Sequence, residues 1–373
     1  MQSERVVIDL FSGAGGFTLG AYTAGFIPML AVDIDSDLTA SFGTNFPKTK
    51  LLLSDLSQAE PNWILRQAGL KRGKITGILG GPPCQGFSFI GKRDPSDNRS
   101  KLVGSFFDFV AAVEPVFFVM ENVPGLLTPP FNNFIEIGLS KIRGDYEIVG
   151  PTLVDAADYA TATMRKRAFV IGYRKEHMDP ISEKDLTSSR ETVTVYQAIH
   201  DLPSPPKTIE NSKGLWGQYA RRPVQGIIGR YARQARRIPP QGLSTAEVRS
   251  TLKKGFISGF IPTNHTSEVV ARWKNLPQGR SDQISRCHRL KWDSPCPTIR
   301  AGTGKDKGGF QSIRPIHPVE DRVITVREAA RLQGFPDWFQ FHSTKWHSFR
   351  MIGNSVSPHV SHSILGIIAD KLE

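Results

Sequence analysis

The first 175 residues alternate short apolar runs with stretches of helical pattern, and this alternation constrains the fold more than any other feature. Five runs are continuously apolar, namely RVVIDLF (5–11), IPMLAVD (27–33), ITGILGG (75–81), PVFFVM (115–120) and AFVIGY (168–173). Continuous runs are typical of strands covered on both faces. Helical stretches between them, such as 17–24 and 102–113, complete a βαβ pattern. We therefore predict an α/β fold with a doubly wound, mostly parallel sheet.

The size of the chain allows two lobes around a substantial core. The chain has 373 residues, 39% of them hydrophobic and 22% charged, as in ordinary globular proteins. Residues 175–290 are rich in Pro, Gly, Ser, Lys and Arg and have poor periodicity, which indicates a second, irregular lobe. Helical patterns are present again in TVREAARLQGF (325–335), where Thr325 and Glu328 have capping-box spacing, and over 357–372, which has an apolar stripe.

The three cysteines, Cys84, Cys287 and Cys296, are too few and too scattered for a disulfide framework or a structural zinc site. No stretch reaches the length of a membrane span, and the N-terminus lacks a signal-peptide layout. We expect no bound metal and a location in the cytoplasm.

The positive charge of the chain is concentrated in one segment. The net charge is +12, and residues 207–260 contain eleven Lys or Arg against two Glu. Such a segment has the character needed to bind phosphates, so we predict a polyanionic partner.

A glycine turn follows the first predicted strand. In VVIDLFSGAGGFTLG, Gly13, Gly15 and Gly16 would let the backbone approach a ligand at the start of a helix. A dinucleotide site would have a third glycine where Thr18 stands, so a dinucleotide is the weaker interpretation. Asp33 ends the second strand, where a carboxylate can accept hydrogen bonds from ribose hydroxyls. Asp55 follows a possible third strand and could meet an adenine amino group, so the pattern as a whole favours S-adenosylmethionine. The alternative is that the glycines form a structural turn and the acids cap helices.

Polar side chains follow the central strands at the edge where ligands of such sheets bind. Cys84 in GGPPCQGFS lies just past one strand, in a turn stiffened by prolines, which favours a nucleophile over a buried core thiol. Glu121 follows the next strand and would face the same crevice. Arg165 and Arg167 precede another strand, and their spacing places both on one face, where they could bind a carbonyl oxygen, bind a phosphate or form surface ion pairs.

These segments together resemble the bacterial C5-cytosine-specific DNA methyltransferases of restriction–modification type. The resemblance rests on DLFSGAGGF, GPPCQGFS, ENV, RKRAFVIG, PCPTIRAG, VREAARLQGFPD and GNSVSPHV, in chain order over residues 5–370. It implies an S-adenosylmethionine-dependent methyltransferase fold. It also divides the chain into a catalytic and cofactor-binding domain (1–175), a target-recognition domain (176–290) and a return segment (291–373) that completes the first domain.

The resemblance implies a site for S-adenosylmethionine built from many short segments. Its residues would be Phe11, Gly13, Gly15, Gly16, Asp33, Ile34, Asp55, Leu56, Gly81, Pro83, Leu102, Asn354 and Val356. The chain departs from the family pattern at Ala162 and Thr163, where relatives have Pro-Gln, and this puts in question how the arginine strand is braced. It also has Ile34 where relatives often have an aromatic residue to stack on adenine.

The implied reaction is methyl transfer to C5 of a cytosine flipped out of a specific duplex DNA sequence. Cys84 would add to C6, Glu121 would bind N3 and the exocyclic amine, and Arg165 and Arg167 would hold O2. Residues 91–101 would form a mobile loop that closes on DNA. DNA contacts are expected from Gln85, Ser88, Arg221, Arg222, Arg230, Arg233, Arg236 and Arg237.

Three alternatives to this function stay open on the sequence. One is a tRNA methyltransferase on the same scaffold, and another is a catalytically inactive DNA-binding homologue. A nicotinamide oxidoreductase is the third, disfavoured by Thr18 in the glycine pattern. We expect a monomer, associated with the nucleoid through DNA, with a companion restriction endonuclease acting separately.

Overall fold

The computed structural model describes residues 4–83, 101–129, 131–188, 191–205, 219–220, 229–302 and 314–373. Its centre is a seven-stranded sheet with the strand order β3-β2-β1-β4-β5-β7-β6. The strands are β1 (Val6–Leu10), β2 (Ile27–Asp33), β3 (Lys50–Leu53), β4 (Gly77–Gly80), β5 (Phe117–Asn122), β6 (Glu147–Asp155) and β7 (Lys166–Tyr173). Strands β1 to β5 pair in parallel, whereas β7 is antiparallel to both β5 and β6. The predicted mostly parallel α/β sheet is confirmed.

Helices cover both faces of the sheet, as continuous apolar strands require. The helices of the first lobe are α1 (Gly16–Thr23), α2 (Phe42–Asn45), α3 (Pro61–Gln67), α4 (Lys101–Val113) and α5 (Asn132–Ser140). Alternate residues of β5 show the two faces: Phe118 packs edge-on against Phe106 and Phe107 of α4, while Val119 belongs to the core on the opposite side. That opposite core is closed by α1 and by the last helix of the chain.

The second lobe and the return segment supply the remaining helices. These are α6 (Val195–Ile199), α7 (Arg230–Ala235), α8 (Ala246–Lys253), α9 (Ser267–Lys274), α10 (Val326–Leu332), α11 (Lys345–Asn354) and α12 (Pro358–Lys371), with a short strand pair, β8 (Tyr219–Ala220) and β9 (Phe256–Ile257). The capping box predicted at Thr325 and Glu328 forms in both directions. Among the described residues, none of these helices combines the length and the apolar character that crossing a membrane requires.

Strand β6 is an element of the sheet that was not predicted from the sequence. It is the edge strand, and its pairing with β7 shifts register between Val149 and Thr152, around Gly150 and Pro151. Proline cannot donate to a ladder, so a Gly-Pro pair inside a run argues against a strand, except at an edge or a bulge. Both exceptions apply to β6.

The contacts refine the predicted division into lobes. Met178, Ile181 and Leu186 pack in the same core as Ile364 and Leu365 of α12, so we propose that the first lobe extends beyond residue 175 to at least Leu186. Helix α10 instead packs against α6 in the second lobe. The return segment over 291–373 therefore contributes to both lobes, and the boundaries that we propose move accordingly.

A fully buried arginine joins three elements of the second lobe. Arg331 of α10 donates to both carboxylate oxygens of Asp337, at 2.5 and 2.8 Å, and to Oδ1 of Asp201 at 3.1 Å. Asp201 lies just after α6 and also accepts from Arg236 at 2.7 Å. Two buried carboxylates thus neutralise two guanidinium groups where water cannot screen them.

We expect Asp337→Ala to lower the free energy of unfolding by about 3–5 kcal/mol, because it leaves the buried Arg331 charge undercompensated. Urea unfolding measures the loss. The matched control is Asp108→Ala, which removes a half-exposed partner of Lys141 on the surface and should cost at most about 1 kcal/mol. Equal effects for the two variants would contradict this account of the second-lobe core.

Candidate active site

A cavity of about 520 Å³ lies at the carboxyl ends of β1 to β5 and beside the start of β7. It is also lined by residues from the end of α11 and from its connection to α12, so the return segment forms one wall. Twelve of the thirteen predicted cofactor residues line it, namely Phe11, Gly13, Gly16, Asp33, Ile34, Asp55, Leu56, Gly81, Pro83, Leu102, Asn354 and Val356. Glu121, Arg165 and Arg167 line the same cavity.

The glycine turn between β1 and α1 holds the backbone against this wall. Gly13 has φ +50° and donates its N–H to Oδ2 of Asp33 at 2.7 Å. A Cβ at Gly16 would lie 2.2 Å from the carbonyl oxygen of Val356, so no side chain fits there. The turn is thereby fixed to both β2 and the return segment.

Gly15 is the one predicted cofactor residue that does not line the cavity. It has φ +90°, and a Cβ there would lie 2.4 Å from the Phe46 ring in the core. Its backbone conformation and this close packing explain the glycine. Gly15 therefore supports the turn, and its contact with a cofactor stays a prediction.

The acids at the ends of β2 and β3 differ in their surroundings. Asp33 is almost fully buried, and Oδ1 accepts the N–H of Asp35 at 2.9 Å while Oδ2 accepts that of Gly13. Burial raises the pKa of Asp33. Asp55 is partly exposed, and its Oδ1 accepts from the N–H and the hydroxyl of Ser57. Ile34 lies beside the cavity with 66% of its surface exposed, so an apolar side chain is available to cover a ligand ring.

A third acid of the cavity, Asp9, was missed by the sequence reasoning. It lies inside β1 and is buried, and its Oδ2 accepts from the N–H and the hydroxyl of Thr18 at 3.0 and 2.5 Å. Its Oδ1 has no hydrogen-bond partner among the described residues. A charged residue inside an otherwise apolar strand was the signal that could have found it. Burial raises the pKa of Asp9 to about 7.

Asp9 should make the ligand-free protein less stable as pH rises. Between the unfolded pKa of 3.8 and the folded pKa of about 7, the folded state holds a proton that the unfolded state has lost. Stability therefore falls as pH rises through this window, and Asp33 acts in the same direction. We expect Asp9→Asn, which keeps an acceptor for Thr18, to flatten the slope of unfolding free energy against pH. An unchanged slope in urea titrations would refute the assignment.

Glu121 and Arg167 form an ion pair in the lining of the cavity. Arg167 Nε lies 2.9 Å from Glu121 Oε1, and both side chains are largely buried. Burial raises the pKa of Glu121, and the positive charges of Arg167 and Arg165 only partly oppose it. A buried carboxyl with a raised pKa can hold a proton near neutral pH and give it to a bound group.

The backbone just before Cys84 is braced by β5. Asn122, next to Glu121, donates from Nδ2 to the carbonyl oxygen of Pro82 at 3.1 Å. A Cβ at Gly81 would lie 3.2 Å from Glu121 Oε2, so glycine leaves space for the carboxylate. Cys84, Gln85 and Ser88 lie outside the described residues, as does 91–100 of the predicted loop.

The segment in front of β7 is braced without the Pro-Gln of the family pattern. Ala162 and Thr163 are fully buried beside Cys296, whose N–H donates to Ala162 O at 2.9 Å. The carbonyl oxygen of Cys296 accepts from Met164 N at 2.8 Å and from the Thr163 hydroxyl at 3.2 Å. The N–H of Arg165 donates to Asp155 of β6 at 2.8 Å. Pairing with the segment PCPTI (295–299) thus holds the backbone that leads to Arg165 and Arg167.

The predicted DNA contacts divide into two groups. Arg230, Arg233 and Arg237 are exposed on or just after α7, spaced along one side of it. Arg236 is different, because its guanidinium donates to the side chain and backbone oxygens of Asp201. These contacts give Arg236 a structural role, and its predicted DNA contact stays a prediction. Arg221 and Arg222 lie outside the described residues.

The fold and this site together agree with one family of known proteins. A family model described as C-5 cytosine-specific DNA methylase matches residues 6–370. The chain therefore belongs to the C-5 cytosine-specific DNA methylase family, and it is a DNA cytosine-5-methyltransferase. The resemblance to bacterial enzymes of restriction–modification type is confirmed.

Individual relatives match over nearly the whole chain. The Type II methyltransferase M.XorII of Xanthomonas oryzae pv. oryzae is 37% identical over 99% of this chain and 86% of its own. M.DdeI of Desulfomicrobium norvegicum is 29% identical over 94% of this chain and 85% of its own. A solved E. coli structure described as a prophage-encoded DNA modification methyltransferase is 37% identical, with a TM-score of 0.84 over 98% of this chain and 99% of that one. The Dnmt2 methyltransferase of S. pombe, at 16% identity and a TM-score of 0.60 over 98% of each chain, shares the fold.

Proposed function

We propose that the protein transfers a methyl group from S-adenosylmethionine to C5 of a cytosine flipped out of a specific duplex DNA sequence, through a covalent bond between Cys84 and C6. The observation that carries the proposal is that one cavity holds both the Glu121–Arg167 pair and the glycine turn with Asp33. A base and a nucleoside-containing methyl donor could therefore meet there.

The side chains of the cavity fit S-adenosylmethionine. Asp33 keeps acceptor capacity on both oxygens for ribose hydroxyls, Asp55 has a second oxygen for the adenine amino group, and Ile34 can cover the ring. The buried Oδ1 of Asp9 has an unmet hydrogen-bonding capacity that a cationic donor group could satisfy. When bound, the cofactor supplies an electrophilic methyl group on a sulfonium.

The cytosine needs activation because its C5 is a poor nucleophile. The Cys84 thiolate would add to C6 while Glu121 gives its proton to N3, so the adduct is a neutral enamine whose C5 can take the methyl group. A base then removes the C5 proton, the C6–S bond breaks, and the N3 proton returns to Glu121. The raised pKa of Glu121 suits this exchange.

The two arginines would act on the other side of the ring. Arg167 holds the Glu121 carboxylate in place, and its remaining donors could bind O2 of the cytosine. Arg165, buried beside it and braced through Asp155, would add positive charge where the ring gains electrons.

DNA would be gripped by the basic second lobe. The exposed side chains of Arg230, Arg233 and Arg237 support phosphate contacts, and Arg221 and Arg222 belong to the same basic segment. A cytosine stacked in a duplex cannot reach side chains that line a cavity, so the reaction requires base flipping at a cost of a few kcal/mol. With Gln85 and Ser88, the segment after Cys84 would close on the DNA.

The remaining biological setting is also proposed. We infer a cytoplasmic monomer that acts on chromosomal DNA, with a separately acting restriction endonuclease as companion. The relatives named as Type II methyltransferases support the pairing with an endonuclease.

The test compares methyl transfer from labelled S-adenosylmethionine to duplex DNA and to tRNA, followed by bisulfite sequencing of DNA from expressing cells. We expect label in DNA only, and bisulfite conversion of all cytosines except protected ones in one sequence context. Labelled tRNA with unlabelled DNA would overturn the proposal in favour of the tRNA enzyme. Absence of transfer to any DNA would favour an inactive homologue.

A further inference from the structure

The loop after β2 is attached to α11 by one partly buried ion pair. Arg350 Nη2 donates to Oδ2 of Asp35 at 2.8 Å, with about a quarter of each side chain exposed. The two residues are 315 positions apart in sequence, and both line the cavity that holds the candidate cofactor site. The pair therefore joins the wall of the cavity that follows β2 to the wall formed by the return segment.

Asp35 organises the loop on which the nucleoside would rest. Its Oδ1 accepts the N–H groups of Asp37 and Leu38, each at 3.0 Å, and its own N–H donates to Oδ1 of Asp33. Any movement of the Asp35 side chain would consequently disturb both the turn and the Asp33 carboxylate. Asp33 in turn holds Gly13, so the effect would reach the glycine turn.

The charges around the pair give Arg350 a second effect. Asp9, Asp33 and Asp35 line the cavity, and the repulsion between Asp33 and Asp35 raises the cost of keeping both ionised. Arg350 offsets that repulsion. Its Nη1 also lies 3.2 Å from Nδ1 of His347, which is 3.5 Å from Asp37, so α11 contacts the loop at two points.

We infer that Arg350 is a positioning residue for the methyl donor, which holds the Asp33–Leu38 loop in its binding geometry through Asp35. This inference rests on the proposed cofactor site and adds to it a residue that does not touch the reacting atoms. Since the helix that carries Arg350 ends at Asn354, the same contact aligns the two halves of the site.

The test measures binding of S-adenosylmethionine and of S-adenosylhomocysteine by calorimetry. We expect Arg350→Gln to raise both dissociation constants about tenfold, the effect of losing one charge-assisted hydrogen bond at a partly buried site. The KM for the methyl donor should rise in parallel, whereas kcat at saturating donor should fall by less than about threefold. Arg350→Lys should recover most of the affinity, because an ammonium can still pair with Asp35.

A double-mutant cycle separates the pair from a general loss of structure. Asp35→Asn retains an oxygen for the N–H groups of Asp37 and Leu38 but loses the charge, so it should weaken binding as Arg350→Gln does, and the two changes together should add little. The matched control is Arg143→Gln, which breaks an exposed ion pair with Glu136 and should leave both constants unchanged.

The outcomes distinguish this inference from the proposed function. If the unmodified protein binds both ligands and Arg350→Gln binds them equally well, the inference is wrong and the proposed function stands. If affinity falls only together with kcat and melting temperature, and lysine does not rescue it, Arg350 is merely structural and the inference is also wrong. If the unmodified protein binds neither ligand, the cofactor assignment itself fails.

Discussion

Replacing Cys84 with serine is expected to lower kcat for methyl transfer by at least about 10⁴-fold. A serine hydroxyl is almost never ionised at neutral pH, so it cannot add to C6, and C5 stays unreactive. Single-turnover transfer of a labelled methyl group to a duplex carrying the target site measures the effect. Binding of DNA and of S-adenosylhomocysteine should persist, because the proposed contacts to both come from other residues.

The control for this variant is Cys287→Ala. Cys287 is buried in the second lobe beside Trp273, away from the cavity, so its loss should leave transfer unchanged. If Cys84→Ser kept more than about a tenth of the activity, no covalent route through this sulfur could be maintained.

The second large effect is expected from Glu121→Gln, which should lower kcat by about 10²–10⁴-fold. An amide has nearly the shape of the acid but cannot give a proton to N3, so the negative charge on the ring would go unneutralised. In the unmodified enzyme the rate should decline as pH rises through the raised pKa of Glu121, since the protonated form is the active one. That decline should disappear in the variant.

The matched control is Glu147→Gln, which changes an exposed acid of β6 and should affect neither kcat nor its pH dependence. A Glu121→Gln enzyme with unaltered kcat would show that Glu121 only organises Arg167. In that case the proton for N3 would have to come from another group.

The sheet could be predicted because most of its strands are apolar along their whole length, and a continuous apolar run indicates a buried strand. Strands β1, β2, β4, β5 and β7 are continuous apolar runs, and this apolar character is a local property of the chain. The edge strand β6 escaped prediction because half of it faces solvent and Gly150-Pro151 interrupts it. Edge strands tolerate such residues, so composition alone cannot reveal them.

The candidate-site residues could be predicted where a polar side chain stands at the carboxyl end of a predicted strand. Glu121 is the penultimate residue of β5 and Asp33 ends β2, so the topology of the sheet brings them to the same edge. Spacing could not tell that Gly15 faces Phe46 or that Arg236 is held by Asp201, since both contacts join distant segments. The pairing of Arg350 with Asp35 is likewise invisible without the fold.

The most direct test of the central claim uses duplex DNA with 5-fluorocytosine at the target position, incubated with the protein and S-adenosylmethionine. Fluorine at C5 cannot leave as a proton does, so the adduct should be trapped after methyl transfer. We expect a denaturation-resistant complex whose peptide map places the bond at Cys84. A protein that methylates normal DNA but forms no such adduct, or forms it at another residue, would contradict the account.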